Sequence, residues 1–306
     1  MRDILSSLIT KSAAEDPRFL MLSGDHGYAL FDEIRRARPG QFLNVGVAEQ
    51  AMVGVAAGLA RVGFRPAVYG LASFVPIRVL EQIKIDVCFS NLPVLFLGDG
   101  AGLVYSTLGA SHQCGEDIAC LRPLPGMRIY SPCDGEELRA CYAEALGRAG
   151  PSYLRIGKSD RPSVHQKSVS STDAHFVRRG GRGKGICLVA TGSMVGPCAA
   201  AAEELSIACV SVPRIKPLPR NIARLLAPFK TAVIVEEHSR HGGLASAILE
   251  TLALDSAARR LPQFKSLALQ DKFSELCGSY QFALSEHGLA DGQLLRRIKK
   301  IARDSR

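Results

Sequence analysis

The sequence has no tryptophan, no CxxC pair among its nine cysteines and no asparagine between Asn91 and Asn221. It also has no apolar run approaching the roughly 20 residues needed to cross a bilayer. The N-terminal stretch MRDILSSLITKSAAEDPR reads as an amphipathic helix without the apolar core of a signal peptide, so no membrane association and a cytoplasmic location are expected. Several cysteines lie inside apolar segments, where a reduced thiol packs as a small hydrophobe. With no CxxC spacing, this argues for a reducing compartment and against a metal site. Cys114, two residues after His112, is the one thiol placed near a candidate reactive segment, and a structural role is its plainer reading. The formal charge of +9 does not imply nucleic acid, because the basic residues are not interleaved with aromatics. Phosphorylated substrates or an acidic partner chain explain it as well.

What is present is the composition of a globular protein: 306 residues, 47% hydrophobic and 22% charged, enough for two ordinary domains. The first half alternates strand-like segments near 19–22, 42–45, 66–69, 94–97, 128–131 and 153–156 with helix-like segments near 3–14, 30–36, 50–61, 78–89 and 136–148. That spacing predicts βα units and a mainly parallel sheet covered by helices on both faces. From Gly157 the chain turns polar, basic and rich in Ser and Gly, as a connection between domains would be. Periodicity resumes with strands near 186–190, 208–212 and 231–236 and helices near 199–205, 244–254 and 292–301. The expectation is an α/β fold with a parallel-sheet domain at 1–165, a linker at 166–184 and a smaller α/β domain at 185–306. The basic run Arg178, Arg179, Arg182 and Lys184 reads as a solvated part of that linker.

Residues 42–63, FLNVGVAEQAMVGVAAGLARVG, organise the rest. An apolar segment suited to a short buried strand meets a single carboxylate, Glu49, and continues as a helix in which Gly54 and Gly58 permit close packing. A carboxylate buried at such a junction needs a cation, or a ligand that can share a proton with it. The plainer alternative is a first-turn acid favoured by the helix dipole.

VGVAEQAMVGVAAGLA resembles the Glu-bearing motif of the pyrimidine-binding domain in transketolase-type thiamine diphosphate enzymes. GASHQCGEDIACLRPLPGM and VIVEEHSRHGGLASAI match further family segments in order, so the resemblance runs over nearly the whole chain. It implies a pyrimidine-binding domain followed by the transketolase C-terminal domain. It also implies that Glu49 holds a proton on the cofactor's aminopyrimidine ring nitrogen, favouring the imino form of the exocyclic amine. That imine then deprotonates the thiazolium carbon.

The same resemblance assigns Phe74, in YGLASFVPIR, to stacking on the aminopyrimidine, with core packing as the alternative. The loop lacks the second aromatic of many relatives. Asp25 and His26, in LSGDHG, resemble the segment that approaches the thiazolium, although Asp with Gly is also ordinary turn chemistry. Residues 98–112, GDGAGLVYSTLGASH, are too rich in Gly and Ser for regular structure, and loops at the carboxyl ends of parallel strands are where α/β folds place ligands. His112 in SHQ matches the family's Thr-His-Gln segment, whose His contacts the sugar substrate. Leu108 stands where many transketolases carry an acidic residue. Lys158 and Arg155, in YLRIGKSD, align with a phosphate-gripping position, Lys158 the better of the two.

The GDG at 98–100 is not read as the metal and diphosphate motif, because that motif needs a downstream Asn and none occurs before Asn221. No metal ligand is therefore expected in the active-site half carried here. The implied function is a split transketolase that moves a two-carbon ketol unit between sugar-like, anionic substrates. A separate N-terminal subunit would supply the diphosphate-binding domain and Mg²⁺ in an α2β2 heterotetramer. The alternatives are the beta subunit of a 2-oxo-acid dehydrogenase and a non-catalytic subunit that kept the fold.

Overall fold

The structure, a computed structural model, describes residues 1–158, 163–181, 185–254 and 261–304. Among them, the strands are β1 (Phe19–Ser23), β2 (Phe42–Asn44), β3 (Arg65–Leu71), β4 (Leu95–Asp99), β5 (Arg128–Tyr130), β6 (Ser152–Ile156), β7 (His175–Arg178), β8 (Ile186–Ala190), β9 (Ala208–Ser211), β10 (Arg214–Lys216), β11 (Thr231–Ser239) and β12 (Gln263–Leu269). The helices are α1 (Arg2–Glu15), α2 (Asp32–Ala37), α3 (Glu49–Arg61), α4 (Leu80–Gln82), α5 (Asp117–Leu121), α6 (Gly135–Gly147), α7 (Val195–Leu205), α8 (Ile222–Leu226), α9 (Leu244–Leu254), α10 (Tyr280–Glu286) and α11 (Asp291–Asp304).

The strands form a seven-stranded sheet of order β10-β5-β6-β4-β3-β1-β2 and a five-stranded sheet of order β12-β11-β8-β9-β7. Pairing is parallel except where β10 joins β5 and β7 joins β9. The first sheet is covered on both faces: every residue of its central strands β4 and β6 is buried. Helix α1 covers one face with Leu5, Ile9 and Ala13, and α3 covers the other with Met52, Val53, Ala56, Ala57 and Ala60, each at helical spacing.

Several expectations are modified. The strand expected to be buried at 42–45 lies at the sheet edge, with Leu43 42% exposed. The helix expected over 78–89 is the single turn α4 running into a π-helical stretch, Ile83–Cys88. The segment expected as linker contains β7, which adds an antiparallel edge to the second sheet. Its basic residues Arg182 and Lys184 lie outside the described residues. Strand β10 returns from beyond residue 185 to extend the first sheet, so the two halves share backbone pairing.

The tripeptide Glu236-Glu237-His238 on β11 ties the halves together. Glu236 accepts from the Leu244 and Ala245 backbone N–H groups at the start of α9, at 2.6 and 2.9 Å. Glu237 accepts from the Leu103 N–H at 2.7 Å, in the loop after β4. His238 Nε2 accepts from the Ala119 N–H at 3.3 Å and lies 3.9 Å from Asp117.

Burial holds the His238 imidazole down to about 4, from 6.5, and the nearby Asp117 carboxylate offsets this only in part. Above pH 6.5 the group is neutral in both folded and unfolded chains. As pH falls from there to about 4, the unfolded chain takes up a proton that the folded chain refuses. Stability should therefore drop across this window by about 3 kcal/mol from this one group. Urea midpoints measured on both sides of the window, for wild type and His238→Gln, check this; an equally steep loss in the variant would contradict it.

Candidate active site

In the first sheet the chain goes from β1 to β2 on one side and returns to β3 on the other. The carboxyl ends of β1 and β3 thus border a topological switch point, where open parallel sheets bind ligands. Three segments meet there: the β1 loop with Asp25 and His26, the start of α3 with Glu49, and the β3 loop Ser73–Arg78 with Phe74. The loop after β4, the next strand over, contributes His112.

Glu49 is the first residue of α3 and only 3% exposed. Both readings of its position hold, since it sits in the first helical turn, where the dipole favours an anion, and it is buried on the inward face. The cation such a carboxylate needs is Arg78, whose Nη1 donates to Oε2 at 2.9 Å. Glu49 Oε1 is buried and has no hydrogen-bond partner among the described residues. An unmet buried acceptor costs about 1–3 kcal/mol, more when charged, so Oε1 is an atom built to receive a hydrogen from something bound.

Phe74 is half-buried at the centre of this group. Its ring lies 5.9 Å from His26 and 5.4 Å from His112, the latter edge-on, and the Arg78 guanidinium sits 4.1 Å from its centroid. The aromatic is therefore shared among site residues and does not belong to the main core. Three further buried polar atoms from these same segments lack hydrogen-bond partners among the described residues: His26 Nδ1, Ser73 Oγ and Gln113 Nε2. Unmet polar atoms beside an aromatic ring suit a flat heterocycle with several donors and acceptors. The residues present thus fit the aminopyrimidine of thiamine diphosphate.

Of the two readings of Asp25, the turn is the one seen here. It is exposed, in the left-handed region at φ 62°, and exchanges hydrogen bonds with Asn44: its N–H donates to Oδ1 at 3.1 Å and its Oδ1 accepts from Nδ2 at 3.2 Å. It shapes the turn that presents His26.

Arg155 requires a correction. It is 2% exposed, its Nε contacts both Asp117 carboxylate oxygens at 3.1 and 2.8 Å, and its Nη2 donates to the Glu237 carbonyl at 2.7 Å. It is a buried ion pair and not a phosphate grip. Lys158 lies partly exposed against the Tyr280 ring, 5.6 Å from its centroid, where α10 approaches the β4 loop.

Within that loop, Asp99 accepts from the Tyr69 and Tyr105 hydroxyls, both at 2.8 Å, so the GDG acid is a buried structural anchor. Leu108 is 54% exposed, and the next residue, Gly109, packs beside Cys277. Cys114 is not near the opening as a reactive thiol: it is fully buried, and its backbone pairs with Gly102 in both directions at 2.8 Å. The exposed cysteine is Cys277.

Arg78 is the site residue that sequence reasoning missed. Its signal was available in the i, i+4 relation to Phe74 within SFVPIR, a spacing that lets a guanidinium reach a ring.

Comparison with known proteins bears directly on this arrangement. The transketolase pyrimidine binding domain family matches residues 1–163, and the transketolase C-terminal domain family matches residues 176–275. The chain is 30% identical over 313 residues to the 6-deoxy-6-sulfo-D-fructose transketolase subunit SqwH of Clostridium sp. (strain MSTE9), covering 98% of this chain and 94% of that one. It is 32% identical over 263 residues to an apulose-4-phosphate transketolase subunit of Phocaeicola vulgatus, covering 82% and 83%. Among solved structures, a split gene transketolase described as an inactive beta4 tetramer superposes with a TM-score of 0.85 at 29% identity, covering 100% of this chain and 98% of that one. No helix among the described residues is long and apolar enough to cross a membrane. With both domain families matched in order and a buried glutamate, an aromatic and a histidine gathered at the switch point, the chain belongs to the transketolase family of thiamine diphosphate enzymes.

Proposed function

We propose that this chain is the C-terminal subunit of a two-chain transketolase, residues 1–165 forming the pyrimidine-binding unit, 166–184 the connection and 185–306 the C-terminal domain. It transfers a two-carbon ketol unit between sugar-like substrates. The observation that carries the reading is Glu49 Oε1, a buried acceptor left without a partner while Arg78 holds its neighbour Oε2. Bound thiamine diphosphate supplies the carbanion chemistry that transfers the ketol unit. Glu49 holds the proton at the ring nitrogen it faces, and Arg78 fixes the carboxylate so that Oε1 is the free oxygen. Phe74 orients the ring, and His26 and His112 line the approach, His112 toward the substrate.

The diphosphate and Mg²⁺ belong in this reading to a separate N-terminal subunit, in an α2β2 heterotetramer. Two features support a partner chain. The outer face of α3 and its C-cap leave Val55 41% and Val62 73% exposed, and a methyl group added at Gly54 or Gly58 would meet nothing within 4 Å among the described residues. The related beta4 tetramer, made of beta chains, is described as inactive. Nine free thiols fit a cytoplasmic setting. The names of the relatives favour transketolase over the dehydrogenase alternative.

The substrate is proposed to be anionic, with Lys158 as the cationic position on this chain. Leu108 offers no acceptor to a donor hydroxyl where an acid is expected, and an unmet hydroxyl costs about 1–3 kcal/mol once the site closes. Ordinary ketose phosphates should then be poor donors, by about tenfold or more. The test is a donor panel on the reconstituted pair, with xylulose 5-phosphate, fructose 6-phosphate, hydroxypyruvate, pyruvate and 6-deoxy-6-sulfofructose. Leu108→Asp should move the ranking toward the hydroxylated donors; an unchanged ranking would remove the hydroxyl argument.

A further inference from the structure

Away from the switch point, where β5 leads into α6, two histidines of the connecting segment close over the start of the helix. His165 Nδ1 lies 2.8 Å from Asp134 Oδ2, and His175 Nδ1 lies 2.9 Å from the Asp173 backbone carbonyl. Each ring thus turns its Nδ1 toward an oxygen acceptor. The two Nε2 atoms face each other 2.9 Å apart.

The surroundings complete a ligand set. Glu137 is fully buried, and its Oε1 lies 3.4 Å from His175 Nε2 and 4.0 Å from His165 Nε2. Its Oε2 is held by the Cys133 N–H at 2.8 Å. Cys133 offers a buried sulfur 4.0 Å from His165 Nδ1, and one ligand atom each of Cys133, Glu137 and His165 lie within 4.8 Å of one another. Zinc bonds to nitrogen and oxygen of roughly 2.0–2.1 Å set tetrahedral ligand edges near ~3.3 Å, and the observed 2.9, 3.4 and 4.0 Å separations bracket that value. Each imidazole already donates its other nitrogen to an oxygen acceptor, the outer arrangement that orients metal-bound histidines.

We propose that Cys133, Glu137, His165 and His175 form a structural site for a zinc-class divalent cation, separate from the thiamine site. The ion would join the start of α6 to the connecting segment and β7, fixing the path between the two halves. Binding replaces the Cys133 S–H proton with a sulfur–metal bond and releases that proton to solvent. Because the thiol must lose its proton to bind, affinity should rise with pH. The sequence concealed the site because its ligands lie at 133, 137, 165 and 175, in no motif spacing.

The test uses the full chain, reduced and stripped with a chelator, titrated with Zn²⁺ by calorimetry and with Co²⁺ by absorption. The expected result is one equivalent bound with proton release, a sulfur-to-cobalt charge-transfer band, and a melting temperature that rises with zinc concentration. His175→Gln, at a partly exposed position, should weaken zinc by at least about tenfold, and Cys133→Ser should abolish the charge-transfer band. No saturable zinc binding would overturn the proposal and leave the imidazole pair sharing a proton. Zinc binding undiminished in both variants would overturn it too, by placing the metal elsewhere. If a variant fails to fold, the wild-type cobalt spectrum decides, because only a thiolate ligand gives that band.

Discussion

Glu49→Gln should reduce turnover of the reconstituted enzyme by about three orders of magnitude or more, a loss of roughly 4 kcal/mol in transition-state stabilisation. Gln keeps the size and one acceptor oxygen, so the fold and the first turn of α3 should survive. What it lacks is a charge able to hold a proton on the ring nitrogen at Oε1, the atom with no partner among the described residues. Arg78, 2.9 Å from Oε2, would lose its ion pair but keep the Phe74 ring beneath it. Single-turnover and steady-state rates of the wild-type and variant pairs decide the matter, with circular dichroism as the check on folding. A variant keeping more than about a tenth of wild-type turnover, a loss under ~1.4 kcal/mol, would show that Glu49 is not the activating group.

Arg155→Met should destabilise the chain by about 3–5 kcal/mol, because it leaves the Asp117 carboxylate buried without its cation. Asp117 is fully buried and also accepts from the Tyr153 hydroxyl at 2.7 Å, while Arg155 reaches the Glu237 carbonyl across the domain junction. The double variant Arg155→Met, Asp117→Leu should recover much of the loss, since an apolar pair of similar volume avoids the desolvation cost. Urea denaturation of the three proteins measures this. A normal midpoint in Arg155→Met with a raised KM for phosphorylated donors would instead restore the phosphate-gripping role suggested by the sequence.

Glu49 and Arg155 show where the sequence was legible and where it was not. Glu49 stood out because a single carboxylate interrupted an apolar stretch, and burial of a charge demands a reason that can be named in advance. Arg155 stood out too, within the apolar β6, but its partner Asp117 lies 38 positions away in a short helix no periodicity announced. An arginine in a strand buried on both faces needs such a partner, and that argument alone should have moved it from the site to the core. The parallel strands were readable because their apolar runs alternate with helical segments. Strands β7, β10 and β12 were not, since they sit at sheet edges, carry polar residues and take their place from pairing across the chain. The Glu-Glu-His of β11 was visible as a family segment, but its work as the bolt between the halves emerged only from its contacts with Leu103, Asp117 and the start of α9.

The central claim is that this chain holds the pyrimidine end of the cofactor and another chain holds the diphosphate end. The most direct test is calorimetric titration of the isolated chain with thiamine diphosphate and Mg²⁺, repeated after mixing with a diphosphate-binding transketolase subunit. The account predicts weak, Mg²⁺-independent binding to the chain alone, and tight, Mg²⁺-dependent binding that appears on mixing and is lost in Glu49→Gln. Tight, Mg²⁺-dependent binding by the isolated chain would contradict it.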